Sequence, residues 1–369
     1  MVIIVKAVYI HIPFCTTLCS YCDFCKMFYN GDWVDKYLEA LANEIDTHYQ
    51  GEIVKTLYIG GGTPSCLSCD QLNQLFLIIH KFKYVSDLEF TFECNINDID
   101  SDLLRILINN GVNRLSLGIE SFNLTSLKFL NRHHVYEDVY NKIELIKSMG
   151  INNINVDLMY AIPGEDIKDL KADLDKIISL APTHISTYSL MIEDHTLLGI
   201  KRVKPIEEDL DYEMYKLINS ILTKAGYRQY EISNYAKEGY ESKHNLTYWD
   251  NEEYYGFGLG ASGFINNIRY DNTKSLNNYL RGDYRLTEEF MTMPKNMENE
   301  MILGLRKIRG VSLEKFKHKY GLDLESVFEI EEMLKGGKLI KNNGRISIAC
   351  EQIYISNDIL INFIGEYNE

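Results

Sequence analysis

No stretch of this 369-residue sequence runs to eighteen uninterrupted apolar residues, so a membrane-spanning helix is not expected. Basic charge is also short. Lys and Arg number 38 against 53 Asp and Glu, and the formal net charge is −15. A general nucleic-acid binder needs a basic face, so that class is excluded. The acidity fits a soluble protein, and a cytoplasmic location is the expectation. The N-terminal MVIIVKAVYIHI has the hydrophobicity of a signal segment. It lacks a basic start and a small-residue cleavage site, and it runs straight into a group of cysteines. It reads instead as a first buried strand. Low-complexity tracts and repeats beyond a βα alternation are missing. The eight cysteines are too sparse for a disulfide scaffold in a chain this long, and a tight group of them without a secretion signal points to metal.

What is present begins with a core. Apolar residues make up 46% of the chain, enough for one large domain and a small one. Strands are expected at AVYIHI (7–12), TLYIGG (56–61), LEFTFE (88–93), RLSLGI (114–119), NINVDLM (153–159) and HISTYSL (184–190). Segments such as DWVDKYLEALANEID and CDQLNQLFLIIHKF lie between them, with apolar residues at three- and four-residue spacing. Connections of that length predict βαβ units and a parallel sheet. Six units in a row predict an α/β fold closed as a full or partial barrel, with an open doubly wound sheet as the alternative. Either architecture gathers ligands at the C-terminal strand ends. That rule brings the cysteines, GGGTP (60–64), Glu93, Glu120 and Asp157 to one mouth. After about residue 205 the pattern changes. Residues 1–270 form the expected barrel with its extension, and 285–369 a small C-terminal α+β domain of winged-helix-like kind.

Four cysteines, at 15, 19, 22 and 25, fall within YIHIPFCTTLCSYCDFCK. Zinc sites commonly pair CxxC with a second distant CxxC or a histidine pair. C-x3-C-x2-C on one loop can instead wrap three corners of a [4Fe–4S] cluster and leave the fourth iron open as a Lewis acid. After a first barrel strand, this spacing resembles the radical S-adenosylmethionine (SAM) superfamily. YIHIPFC, YCDF, LYIGGGTPS, NRLSLGIESF, NINVDLMYAIPGE, YEISNYA, HNLTYW and MILGLRKIRGVS together resemble the oxygen-independent coproporphyrinogen III oxidase-like family, over nearly the whole chain. Within it the chain is most similar to the haem chaperone (HemW-like) branch. Oxidases of the family carry a further cysteine two places after the third ligand, where this chain has Phe24, with Cys25 one step out of register. They also carry a segment ahead of the first strand, and here only about six residues precede it.

The resemblance implies a partial (β/α)6 TIM-like radical SAM barrel. Cys15, Cys19 and Cys22 would hold the cluster, and SAM would chelate the open iron through its amino and carboxylate groups. Tyr9, Tyr21, Gly61, Gly62, Thr63, Glu93, Glu120, Arg132 and Asp157 occupy the family's SAM positions. Ile96 stands where the family has proline, Glu120 where it has glutamine, and Asn131 where it has glycine. His244 of HNLTYW is the implied haem ligand, with Tyr248 and Trp249 as flat faces against a porphyrin or as core anchors. Cys25 is expected to be a bystander, Cys66 and Cys69 a further CxxC, and Cys94 and Cys350 structural. The implied function is a haem chaperone that passes haem to an acceptor protein, with a reductant such as flavodoxin or ferredoxin. The alternative is an enzyme that makes protoporphyrinogen IX from coproporphyrinogen III.

Overall fold

The computed structural model describes residues 4–365. Six parallel strands stand side by side in chain order: β1 (Ile4–Ile12), β2 (Ile53–Gly61), β3 (Lys83–Asn95), β4 (Arg114–Glu120), β5 (Asn153–Tyr160) and β6 (His184–Ser189). An unreversed order is that of a barrel; a doubly wound sheet reverses at a switch point. The barrel stays open. On one edge, β1 pairs in parallel with Tyr254–Phe257, and three antiparallel strands extend the sheet to Arg285–Phe290. On the other edge, β6 pairs antiparallel with Asn234–Ala236.

Each strand serves two environments, because successive side chains point to opposite faces. In β4, Leu115, Leu117 and Ile119 pack under helices, while Arg114, Ser116, Gly118 and Glu120 alternate with them. The inner face is polar throughout. Tyr9 lies beside Tyr58 at 6.0 Å between ring centroids, Asn155 donates to Ser116 at 2.8 Å, and Asn155 meets His184 at 2.6 Å. Crossover helices cover the outer face. Gly31–His48 starts at an Asn30 cap and buries Val34, Leu38, Leu41 and Ile45, a three- and four-residue stripe. Cys69–Ile79 starts with a Ser68–Gln71 capping box.

A second core gathers Met297, Met301, Phe316, Phe328, Ile346 and Phe363 around a three-stranded antiparallel sheet, the α+β arrangement expected. Two details differ from expectation. Arg285–Phe290 pairs with Ile268–Asn272, so the first region runs past 270 to about 290 and the second core begins after it. GRISIACEQIYIS is strand only over Arg345–Ile348, then turns through Cys350–Gln352 into helix Ser356–Leu360. No helix among the described residues is long and apolar enough to cross a membrane.

Candidate functional site

The cysteine loop leaves β1 at Pro13 and returns at Met27, closed by a short parallel ribbon: Met27 N–H donates to Pro13 O at 2.7 Å, and Tyr29 N–H to Cys15 O at 2.9 Å. The end of β2 zips against it. Gly62 N–H donates to Ile12 O and Thr63 N–H to Phe14 O, both at 2.8 Å. A Cβ at Gly62 would stand 2.8 Å from Phe14 O and 2.9 Å from Ile12 O, so only glycine permits this approach. Gly61 has φ +113°, a second requirement for glycine. On the far side, Asn131 donates through its side chain to Leu18 O at 2.8 Å from a left-handed conformation, φ +59°. Asparagine tolerates that conformation, which explains how it stands where the family has glycine.

Hydrogen bonds reach all three expected ligands: Cys22 from within the loop, through Phe24 N–H and the Lys26 ammonium, and the other two from outside it. Thr63 Oγ1 donates to Cys15 Sγ at 3.4 Å and Arg132 Nη1 to Cys19 Sγ at 3.7 Å. Burial pushes the Cys15 thiol up to about 11, so it keeps its proton until a metal displaces it. Among the described residues no three His, Cys, Asp or Glu side chains converge on a single-ion site. A cuboidal cluster does not need that, since each cysteine faces its own iron. Three thiols on one loop, with outside donors to two sulfurs, fit such a cluster.

Tyr58 Oη donates to Glu93 Oε1 at 2.7 Å, and Gly61 N–H to Oε2 at 3.0 Å. Burial still raises the Glu93 carboxyl to about 7. Glu120 ends β4 at φ +67°, a conformation costing a non-glycine residue about 1 kcal/mol. Its carboxyl is raised by burial despite Arg132, and Tyr21 lies against it. The Arg132 fork also bonds Gly118 O. Asp157 accepts from Asn155 at 2.8 Å, and burial raises its carboxyl. Tyr21, Glu120, Arg132 and Asp157 thus gather on the β4–β5 side. Tyr9, Gly61 and Glu93 line a cavity of about 490 Å³ on the β1–β3 side.

Helix Lys243–Trp249 joins one edge of the open sheet to the other. Glu89 accepts from Lys243 N–H and His244 N–H at 3.0 and 2.9 Å, anchoring its start. His244 points inward and is 1% exposed. Its Nδ1 meets Thr56 Oγ1 at 2.9 Å and its Nε2 meets Tyr248 Oη at 2.7 Å. Both ring nitrogens are therefore engaged, and burial lowers its pKa to about 3. In this conformation, ligating haem iron would require His244 to release Thr56 or Tyr248. Trp249 sits under Arg306 of the C-terminal region, 5.5 Å from the ring centroid, rather than on the cavity.

Residues beyond the expected set complete the interior. His11 Nε2 donates to Cys25 O at 2.7 Å, so its Nδ1 accepts from Tyr9 Oη at 2.9 Å. Arg114 is 2% exposed, and its Nε has no protein partner. The alternation R-L-S-L-G-I-E is the sequence signal that turns Arg114 inward. Cys25 and Phe24 line the cavity, Phe24 at 68% exposure. Cys66 Sγ donates to Phe14 O at 3.5 Å, while Cys69 is exposed and free.

These buried carboxyls make stability depend on pH. Burial raises Glu93 and Glu231 to about 7 and Glu165 to about 8, all above their unfolded values. The folded chain then binds more protons than the unfolded one from about pH 4.5 upward, and stability is lost as pH rises through 7–8. Buried neutral histidines act oppositely: His11 and His134 fall to about 4 and His244 to about 3, so their contribution is complete only above about 6.5. Above about pH 6.5 only the carboxyl effect remains, so the melting temperature of the ligand-free protein is expected to fall from about pH 6.5 to 8, by differential scanning fluorimetry. Glu165→Gln should flatten the alkaline side; an unchanged slope would remove Glu165 as a contributor.

Comparison with known proteins adds the following. Residues 9–177 match the Radical SAM superfamily, and residues 292–352 match the HemN C-terminal domain. The "Heme chaperone HemW" of Lactococcus lactis is 40% identical over 371 residues, covering 97% of each chain. The protein of the same name from Bacillus subtilis is 39% identical over 381 residues, covering 98% of this chain and 100% of its own. Among solved structures, the coproporphyrinogen III oxidase HemN of Escherichia coli, a radical SAM enzyme, superposes with a TM-score of 0.87. Its identity is 21%, over 98% of this chain and 90% of that one. That likeness is one of fold.

Proposed function

The chain belongs to the heme chaperone HemW family of the radical SAM superfamily, and we propose that it binds haem and a SAM-ligated [4Fe–4S] cluster and passes haem to an acceptor protein. The reading rests on the chain-long likeness. Within the structure it is carried by one observation: the cavity of about 490 Å³ opens between the cysteine loop and the HNLTYW helix and is walled by Tyr9, Tyr58, Tyr248 and Tyr254. Flat aromatic walls suit a flat aromatic ligand.

Cys15, Cys19 and Cys22 would hold the cluster, with Thr63 and Arg132 donating to its thiolates. Bound together, cluster and SAM supply a reducible sulfonium at an open iron. Glu93 has lone pairs for an ammonium, Arg132 a fork for a carboxylate, and Asp157 acceptors for hydroxyls. Tyr9 and Gly61 would flank SAM on the β1–β3 side, and Tyr21 and Glu120 on the β4–β5 side. The proposed setting is the cytoplasm, on the acidic composition, with flavodoxin or ferredoxin as reductant.

The test is an anaerobic haem titration followed at the Soret band. Wild type is expected to develop a saturable band, and its absence would sink the reading. His244→Ala should keep the band at the wild-type wavelength, because its ring nitrogens are committed to Thr56 and Tyr248. A shifted band would restore His244 as ligand.

A further inference from the structure

Among the described residues, Lys274 is the one Lys or Arg that lines the cavity. Lys274 is exposed, and among the described residues it has no carboxylate within 4.0 Å and no hydrogen bond. That is unusual company for a lysine in a chain of net charge −15. The two histidines lining the cavity, His11 and His244, are held neutral by burial.

The rest of the wall has little polarity left to offer. Tyr9 donates to His11 and Tyr58 to Glu93, and Tyr248 is bonded to His244. Tyr254 is spent on Arg269. These rings present carbon, not free hydroxyls. The acids are occupied as well: Glu93 by Tyr58 and Gly61, and Asp23 by His195. Two uncommitted polar side chains remain, the Lys274 ammonium and the Asn245 amide. A ligand with a flat apolar body and an anionic edge would bury the body among the tyrosines and turn the edge to Lys274.

Resting on the haem-binding reading, we propose that Lys274, assisted by Asn245, receives a propionate carboxylate of haem at the mouth of this cavity. A charge-assisted hydrogen bond at a partly exposed site is worth about one factor of ten in affinity.

Anaerobic titrations of the full chain with haem and with haem dimethyl ester, whose carboxylates are masked, test this. Wild type should bind haem about tenfold more tightly than the ester. Lys274→Ala should weaken haem by about that factor and leave the ester within about twofold; Lys274→Arg should recover most of the loss. Equal weakening of haem and ester, or no weakening of haem, would overturn the assignment of Lys274 and leave haem binding standing. Failure of wild type to bind either ligand would overturn the haem reading, and this assignment with it.

Discussion

Replacing Cys19 with serine is expected to strip the protein of iron, and replacing Cys25 with serine to leave its iron content unchanged. Four cysteines share the loop, so spacing alone leaves room for any three. The structure separates them by what each faces. Thr63 donates to Cys15 and Arg132 to Cys19, the kind of outer donors that iron-bound thiolates have. Cys22 sits with them, its carbonyl taken by Lys26. Cys25 turns away. His11 pins its carbonyl, its Cβ packs where a Cβ of Gly260 would collide at 2.6 Å, and its thiol shares the cavity with Lys274. Losing an outer partner of a metal ligand costs about 10–100-fold in affinity, and losing the ligand itself costs more. Iron and labile sulfide per chain after anaerobic reconstitution should therefore fall about tenfold or more in Cys15→Ser, Cys19→Ser and Cys22→Ser. Thr63→Val should lose part of its cluster on exposure to a chelator. If Cys25→Ser lost iron as Cys19→Ser does, the ligand set would have to be redrawn around Cys25.

Much of this arrangement is legible in the sequence, for physical reasons. A strand buried on both faces alternates two chemistries, and RLSLGIE writes both in one line: leucines toward the helices, Arg114, Ser116 and Glu120 toward the interior. Cysteine spacing is local, so three ligands on one loop can be read without knowing the fold. Glycines that meet a backbone leave a run such as GGGTP. What is not legible depends on placement in space. His244 looks like a ligand in HNLTYW because a motif carries identity but not direction. Its direction is set by Glu89 at the helix start and by Thr56 across the interior, 155 and 188 residues away in the chain. The left-handed turn at Glu120 has no glycine to announce it. Lys274 carries no motif; only the cavity beside it makes it informative. The pairing of Arg285–Phe290 with Ile268–Asn272 is likewise a contact in space that the sequence does not announce.

Asp250→Ala is expected to cost about 3–5 kcal/mol, and Lys307→Met much less, although both break the same ion pair. Asp250 caps the C-terminus of the helix that carries His244. Its carboxylate holds Lys307, which is 3% exposed, and Arg309 Nη2 stands 3.3 Å away. Burial works to raise the Asp250 carboxyl, but Lys307 and Arg309 outweigh it and keep the group ionised. Burial lowers Lys307 in spite of Asp250, so the cation depends on this partner. Removing Asp250 leaves a buried ammonium with no carboxylate. Removing the ammonium leaves Asp250, 27% exposed, still facing Arg309 and water. The asymmetry matters beyond stability. The same segment bonds the barrel edge through Ile232 N–H to Arg306 O at 3.1 Å and Ile308 N–H to Tyr230 O at 3.0 Å. Tyr230 in turn holds His184 inside the barrel at 2.8 Å. The C-terminal core is thus tied both to the HNLTYW helix and to the barrel interior. Asp250→Ala should lower the melting temperature by several degrees and open residues near 290–310 to limited proteolysis first. Lys307→Met should keep the wild-type cleavage pattern. Equal destabilisation by the two variants would mean that Lys307 supports the joint through its alkyl packing rather than through its charge.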